Sequence, residues 1–322
     1  MSTAGRPLVV VGLPRSGTTW TTRVLGAGPD FHNLGEPDNE DFYPSAIHAK
    51  RRLGRYPVLD PGDSAPPYRA LWDWILRGAP ESARTTRARL ILGPGSRDRI
   101  FDGRLDAVGR LAGLLARNPD PHASDILFGR RVIAKSIHAQ LALDWLASEF
   151  DIDVLVLVRH PASVLASWLE VNLKDARNET LETRADVRAR FLTPWGVPDP
   201  GPDPIERMSW KIGLLSSALE DSIARHPNWV VRSHEAMCAD PDVEFRRLFA
   251  ELRIDWNPHA EEYLRDHDTP GVGFDVRRVA AEMPDSWQRR LDDDQLATLR
   301  KVFQWFPVTR WSDVDFERPS GA

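Results

Sequence analysis

The sequence predicts an α/β fold, a parallel sheet flanked by helices and joined by a mostly helical cap. Three observations carry this expectation. Short apolar runs rich in valine recur along the chain, most of them are followed by a segment of helical periodicity, and the first passes directly into a dense run of Gly, Ser, Thr and Arg. Strands that alternate with helices imply a parallel sheet covered on both faces.

Leu8 to Val11 is an unbroken apolar run bounded by Gly12 and Pro14, the pattern of a strand buried on both sides. A helix is expected from about Thr18 to Leu25, and a second strand from Phe31 to Leu34. Helical periodicity then dominates, including Arg69 to Leu76 and Leu105 to Leu115, with breaks at Pro61-Gly62 and Gly93-Pro94-Gly95. This stretch, about 40–128, reads as a helical cap inserted into a single domain spanning 1–322. Strands follow at Arg131 to Lys135 and Val154 to Val158, each leading into a helical pattern, Gln140 to Glu149 and Pro161 to Leu169. Thr193 to Pro204 carries five prolines and reads as an irregular surface loop. A last strand, Trp229 to Arg232, precedes an amphipathic helix from Asp242 to Leu252.

Composition narrows the function classes. With 322 residues and 42% hydrophobic content the chain has material for one large core. Its formal charge of −5 gives no whole-surface basic field, so a nucleic-acid partner is not expected and any anion site must be local. Cys238 is the single cysteine, which excludes a disulfide framework and a thiolate metal cluster and fits a reducing compartment. Met1 to Pro7 is short and polar, without the apolar core of a signal peptide, and no uninterrupted apolar run has spanning length. A cytoplasmic protein without stable membrane insertion is expected.

The most informative stretch is Gly12-Leu13-Pro14-Arg15-Ser16-Gly17-Thr18-Thr19-Trp20. Here a strand passes through a tight turn into a helix whose first turn offers backbone N–H groups to an anion. The helix start acts like roughly half a positive charge; Arg15 adds a full one, and Gly17 lets the backbone approach a phosphate. A nucleoside-triphosphatase P-loop would place Lys after the last glycine. This chain has Thr18 there, which suits a 5′-phosphate held without a metal.

Pro14-Arg15-Ser16-Gly17-Thr18-Thr19-Trp20 resembles the 5′-phosphosulfate loop of the sulfotransferases that use 3′-phosphoadenosine-5′-phosphosulfate (PAPS). The resemblance implies a P-loop-type sheet with an acceptor-side cap, PAPS as co-substrate, adenosine 3′,5′-bisphosphate (PAP) as product, and no metal. It further implies that the loop amides with Ser16, Thr18 and Thr19 hold the 5′-phosphate and that Trp20 stacks on adenine. Many members carry Lys where this chain has Arg15.

A second signature lies at Arg159-His160-Pro161, with Ser167 eight residues after Arg159. An arginine at the carboxyl end of a parallel strand sits where open α/β sheets bind ligands. It can fork onto a phosphate while a hydroxyl two turns into the next helix folds back toward it. In the family this arrangement grips the 3′-phosphate. Further contacts usually come from a basic glycine-containing loop near the C-terminus; the candidates here are Arg277 and Arg278, followed by Trp287, and the familiar R-K-G sequence is absent. His160 reads as support for the turn or the phosphate site.

Sulfuryl transfer is a problem of positioning and electrostatics close to phosphoryl transfer. Arg15 is the first choice for stabilising the leaving group, and Lys135, ending its strand, takes a supporting cationic role by resemblance. Two candidates for the base remain open. Glu36, in Leu34-Gly35-Glu36-Pro37, stands where carbohydrate sulfotransferases use a Glu. His138, in Lys135-Ser136-Ile137-His138, resembles the K-[ST]-H of phenol and steroid sulfotransferases displaced by one residue. The run Lys50-Arg51-Arg52 with Arg55 is a solvated helix face or a contact for an anionic acceptor.

The acceptor itself, a small molecule, carbohydrate or lipid bearing a hydroxyl or amine, is not legible, nor is the oligomeric state. Two other readings stand beside this one: a P-loop kinase or nucleoside triphosphatase, and a catalytically silent nucleotide-binding module.

Overall fold

The computed structural model describes residues 5–78, 130–173, 180–270 and 279–317. Five strands form one sheet: β1 (Leu8–Gly12), β2 (Phe31–Gly35), β3 (Arg131–Ser136), β4 (Asp153–Val158) and β5 (Val230–Ser233), in the order β2-β3-β1-β4-β5. The strands run parallel, with Val11 opposite Ser136, Gly35 opposite Lys135 and Val158 opposite Ser233. From β1 the chain crosses to the β2 side, and from β4 it crosses to the β5 side.

By its contacts the chain divides into two compact units, residues 1–11 with 25–154 and residues 12–24 with 155–322. In the first, β1 and β3 are buried along their length, which is why β1 reads as continuous apolar sequence. Helix α2 (Pro44–Lys50) packs on α3 (Pro66–Leu76), both with proline in the first turn, where a missing N–H costs nothing. Tyr68 of α3 stacks at 5.6 Å on Trp145 of α4 (Leu143–Glu149), whose indole N–H donates to the Asp63 carbonyl. The expected Leu105 to Leu115 helix and the rest of the cap beyond residue 78 lie outside the described residues.

In the second unit, α1 (Thr18–Leu25) follows the loop after β1, and α5 (Pro161–Glu170) follows β4 and is buried nearly all round. A longer helix, α6 (Pro204–Arg225), follows the stretch from Thr193 to Pro204, of which residues 197–203 are irregular. That stretch opens with a helical turn at Thr193–Trp195, and its last proline is the first residue of α6, capped by the Asp203 carboxylate on the Ile205 N–H. The helix was not legible because its buried residues run almost continuously from Met208 to Leu219, which blurs the 3.6-residue contrast.

The last strand is shifted by one residue from the expected Trp229 to Arg232, and α7 (His234–Ala239) and α8 (Pro241–Glu251) follow it. Two further helices that the sequence reading did not anticipate are α9 (Pro258–His267) and α10 (Asp293–Phe303), the latter opened by a capping box between Asp292 and Gln295 and packed on α6.

Candidate active site

The loop between β1 and α1 is shaped by residues that tolerate unusual backbone. Arg15 (φ 73°) and Gly17 (φ 89°) are both left-handed on either side of Ser16, whose N–H donates to the Leu13 carbonyl at 3.0 Å. Loops built this way turn successive N–H groups toward a common centre, and the α1 terminus adds its own. A Cβ on Gly12 would lie 2.3 Å from Ser16 Oγ and 2.6 Å from the Leu157 carbonyl, so the loop closes only over glycine. A Cβ on Gly17 would lie 2.4 Å from the His234 ring.

The two sequence signatures meet. Arg159 Nη1 donates to the Arg15 carbonyl at 2.6 Å, Arg15 Nε donates to Ser167 Oγ at 2.9 Å, and Trp168 Nε1 donates to the Pro14 carbonyl at 2.9 Å. Arg159 is only 8% exposed, yet its Nε and Nη2 find no hydrogen-bond partner among the described residues, and neither does the buried Ser16 Oγ. Burial first, and then the neighbouring Arg15 and Arg290, hold the Arg159 pKa down to about 10 against the pull of Glu235 and Cys238. A charged guanidinium with two unmet N–H groups beside a second cation is a site short of an anion.

Sequence reasoning missed His234. It follows β5 directly, packs against Gly17 and lies edge-on to Trp20 with centroids 6.4 Å apart; Phe245 meets the same indole at 4.9 Å. Burial, then the charges of Arg159 and Arg15, hold it neutral, well below the usual histidine range. Its position at the carboxyl end of a parallel strand was the available signal. His160, by contrast, is structural: Nδ1 accepts from the Ala162 N–H to cap α5, Nε2 donates to the Asp315 carbonyl, and the ring stacks on Trp287 at 5.2 Å. Arg277 and Arg278 lie outside the described residues.

In the first unit, Glu36 follows β2 in a left-handed conformation (φ 54°) and its N–H donates to the Lys135 carbonyl. Lys135 Nζ reaches Glu36 Oε1 at 2.5 Å, and Asn39 Nδ2 donates to Oε2 at 2.6 Å. Burial pushes the Glu36 pKa up, but the Lys135 charge and the hydrogen bonds from Lys135 and Asn39 outweigh it, so the carboxylate is held below its ordinary value.

His138 has different company. It is 2% exposed, with Nδ1 3.3 Å from Glu40 Oε2 and 3.4 Å from Lys50 Nζ, and its ring lies edge-on to Tyr56. Burial and then Lys50 lower its pKa, outweighing Glu40. Lys50 pairs with Glu40 at 2.7 Å and donates to the Arg55 carbonyl, while Arg55 reaches Asp41 Oδ2 at 2.9 Å. Lys50 and Arg55 are buried and ion-paired, so neither is a solvated charge; Arg51 and Arg52 are exposed.

Among the described residues, no group of three or more His, Cys, Asp or Glu side chains is arranged to hold a metal ion, and no helix is long and apolar enough to cross a membrane. The profile of the sulfotransferase family matches residues 7–195. No curated protein matches the chain. Among solved structures it is similar to a sulfotransferase domain from the curacin biosynthetic pathway, at 12% identity over 94% of this chain and 98% of that one, with a TM-score of 0.49. It is also similar to the sulfotransferase domain of an olefin synthase from Synechococcus PCC 7002, at 13% identity over 94% and 95% of the two chains, with a TM-score of 0.42. A third is a sulfotransferase from Mycobacterium tuberculosis H37Rv, at 16% identity over 90% and 78%, with a TM-score of 0.40.

Proposed function

The chain belongs to the sulfotransferase family, and from that premise we propose that it transfers a sulfuryl group from PAPS to a hydroxyl or amine of a small-molecule, carbohydrate or lipid acceptor by in-line displacement, releasing PAP. The observation that carries the proposal is the buried Arg159, whose Nε and Nη2 find no partner among the described residues, tied to the Arg15 carbonyl while Arg15 itself is tied to Ser167.

When bound, PAPS supplies an activated sulfuryl group on a phosphate leaving group. The backbone N–H groups at Gly17 and the start of α1, with the side chains of Ser16, Thr18 and Thr19, are suited to its 5′-phosphate, and Arg159 with Ser167 to its 3′-phosphate. Arg277 and Arg278 remain candidates for further 3′-phosphate contacts. Arg15 is anchored through Nε, which aims a guanidinium at charge developing on the leaving oxygen. Glu36 serves as the base: it is ionised at neutral pH, as proton acceptance requires, and Lys135 supplies the supporting cation. His138 is less suited, because its Nδ1 already faces Glu40 and Lys50 inside a closed network.

The test is calorimetric titration with PAP against ATP-magnesium, on the wild type, Arg159→Ala and Arg159→Lys. Tight PAP binding that needs no metal and that both substitutions weaken supports the proposal. Preference for ATP-magnesium would sink it in favour of a kinase-like enzyme.

A further inference from the structure

Asn39 belongs to no motif, yet it is the most tightly constrained neighbour of Glu36. It is 4% exposed, its N–H donates to the Glu36 carbonyl at 3.0 Å, and its own carbonyl accepts from the Tyr43 N–H at 2.9 Å. The side-chain amide has only one sensible orientation: Oδ1 accepts from the Asp41 N–H at 3.0 Å, so Nδ2 is the atom that faces Glu36 Oε2. Lys135 occupies the other carboxylate oxygen, Oε1.

We infer that Asn39 is the positioning residue of the base: it fixes the Glu36 carboxylate in plane through Oε2, leaving the Oε1 side, which meets Lys135, as the one that trades partners when a proton is accepted. The inference rests on the reading of Glu36 as base. Two physical facts support it. A left-handed glutamate costs of order 1 kcal/mol and persists only where its surroundings over-determine it; the turn from Glu36 to Asn39 does so with a backbone and a side-chain bond at once. A neutral amide donor also stabilises a carboxylate without adding a second charge beside it. The charged and titratable groups facing Glu36 are Lys135, at the end of β3, and His138, in the turn after it. Neither can replace a fixed amide, since an ammonium on a long stem does not set the carboxylate plane.

The test replaces the amide and reads Glu36 directly. Asn39→Asp keeps the acceptor for the Asp41 N–H but turns the donor to Glu36 into a second carboxylate; Asn39→Ala removes both donor and acceptor. Each protein is labelled with carboxyl-carbon-13 glutamate and titrated by NMR, the Glu36 resonance being identified by its loss in Glu36→Gln. The Glu36 midpoint is expected to move to higher pH in both variants, further in Asn39→Asp, where two carboxylates face each other. A midpoint unmoved in Asn39→Ala would overturn the inference, because that variant loses the amide donor without placing a new charge beside Glu36. PAP titration of the same samples separates the two ideas: a wild type that does not bind PAP sinks the donor reading, whereas an unmoved Glu36 in protein that binds PAP normally sinks this one alone.

Discussion

Arg159 donates through Nη1 to the carbonyl of Arg15, at 2.6 Å, while its buried Nε and Nη2 find no hydrogen-bond partner among the described residues. Two like charges are thus linked through backbone in a place where each raises the cost of the other. Such an arrangement is stable only in proportion to what an anion returns to it.

Binding and stability should therefore respond to Arg159 with opposite signs. Under the proposed function Arg159→Met removes the two nitrogens assigned to the 3′-phosphate, worth about 1.5–3 kcal/mol each as charge-assisted donors, so PAP affinity should fall roughly a hundredfold or more. The ligand-free protein should lose little or gain slightly in chemical denaturation, because a desolvated cation goes and only its one hydrogen bond to the Arg15 carbonyl goes with it. A loss of several kcal/mol in the free protein would mean that the guanidinium is satisfied in ways the geometry does not contain.

Gly17 is under two separate constraints, its φ of 89° and the His234 ring 2.4 Å from where a Cβ would sit. Gly17→Ala should cost roughly 1–2 kcal/mol for the backbone alone and more for the clash. Adding His234→Ala should recover the steric part and leave the backbone part. Full recovery of thermal stability in the double variant would mean that the left-handed conformation carries no strain.

The β1–α1 unit was legible because every local signal agreed: a valine run, a Gly/Pro turn, and hydroxyl residues at the helix start. Charges were read least well. Lys50 and Arg55 sit in a basic run that describes a surface, and only the fold brings Glu40 against both, with His138 alongside from eighty-eight residues beyond Lys50. Asn39 and His234 were missed for the same reason, since what marks each is a partner distant in sequence or an atom-level geometry that spacing does not encode.

Acid should destabilise the protein through its buried histidines. Burial, against the help of Asp315, lowers the His160 pKa from 6.5 to about 4, so between those values the unfolded chain binds a proton that the folded one refuses. Stability consequently falls as pH drops below about 6.5, and His160 alone should contribute a loss of about 2 kcal/mol by pH 5. His138 and His234 act in the same direction. In His160→Asn, whose side-chain oxygen can still cap the Ala162 N–H, urea denaturation at pH 7 and pH 5 should show a smaller difference than in the wild type. An equal difference would mean that His160 is not the proton-excluding group.

The Glu40 network tests whether His138 is architecture or chemistry. Glu40 is fully buried, ionised well below the ordinary range although burial opposes it, and shared between Lys50, Arg55 and His138. Glu40→Gln leaves two buried cations without their common partner and should cost about 3–5 kcal/mol in denaturation. Glu40→Met with Lys50→Met removes one charge of each sign, and Asp41 remains to face Arg55, so most of that loss should return. If His138 is structural, the double variant should also bind PAP as the wild type does and leave the Glu36 carboxylate titrating where it did. A double variant that regains its stability while the Glu36 midpoint shifts well beyond what loss of a distant charge explains would instead tie this network to the chemistry at Glu36.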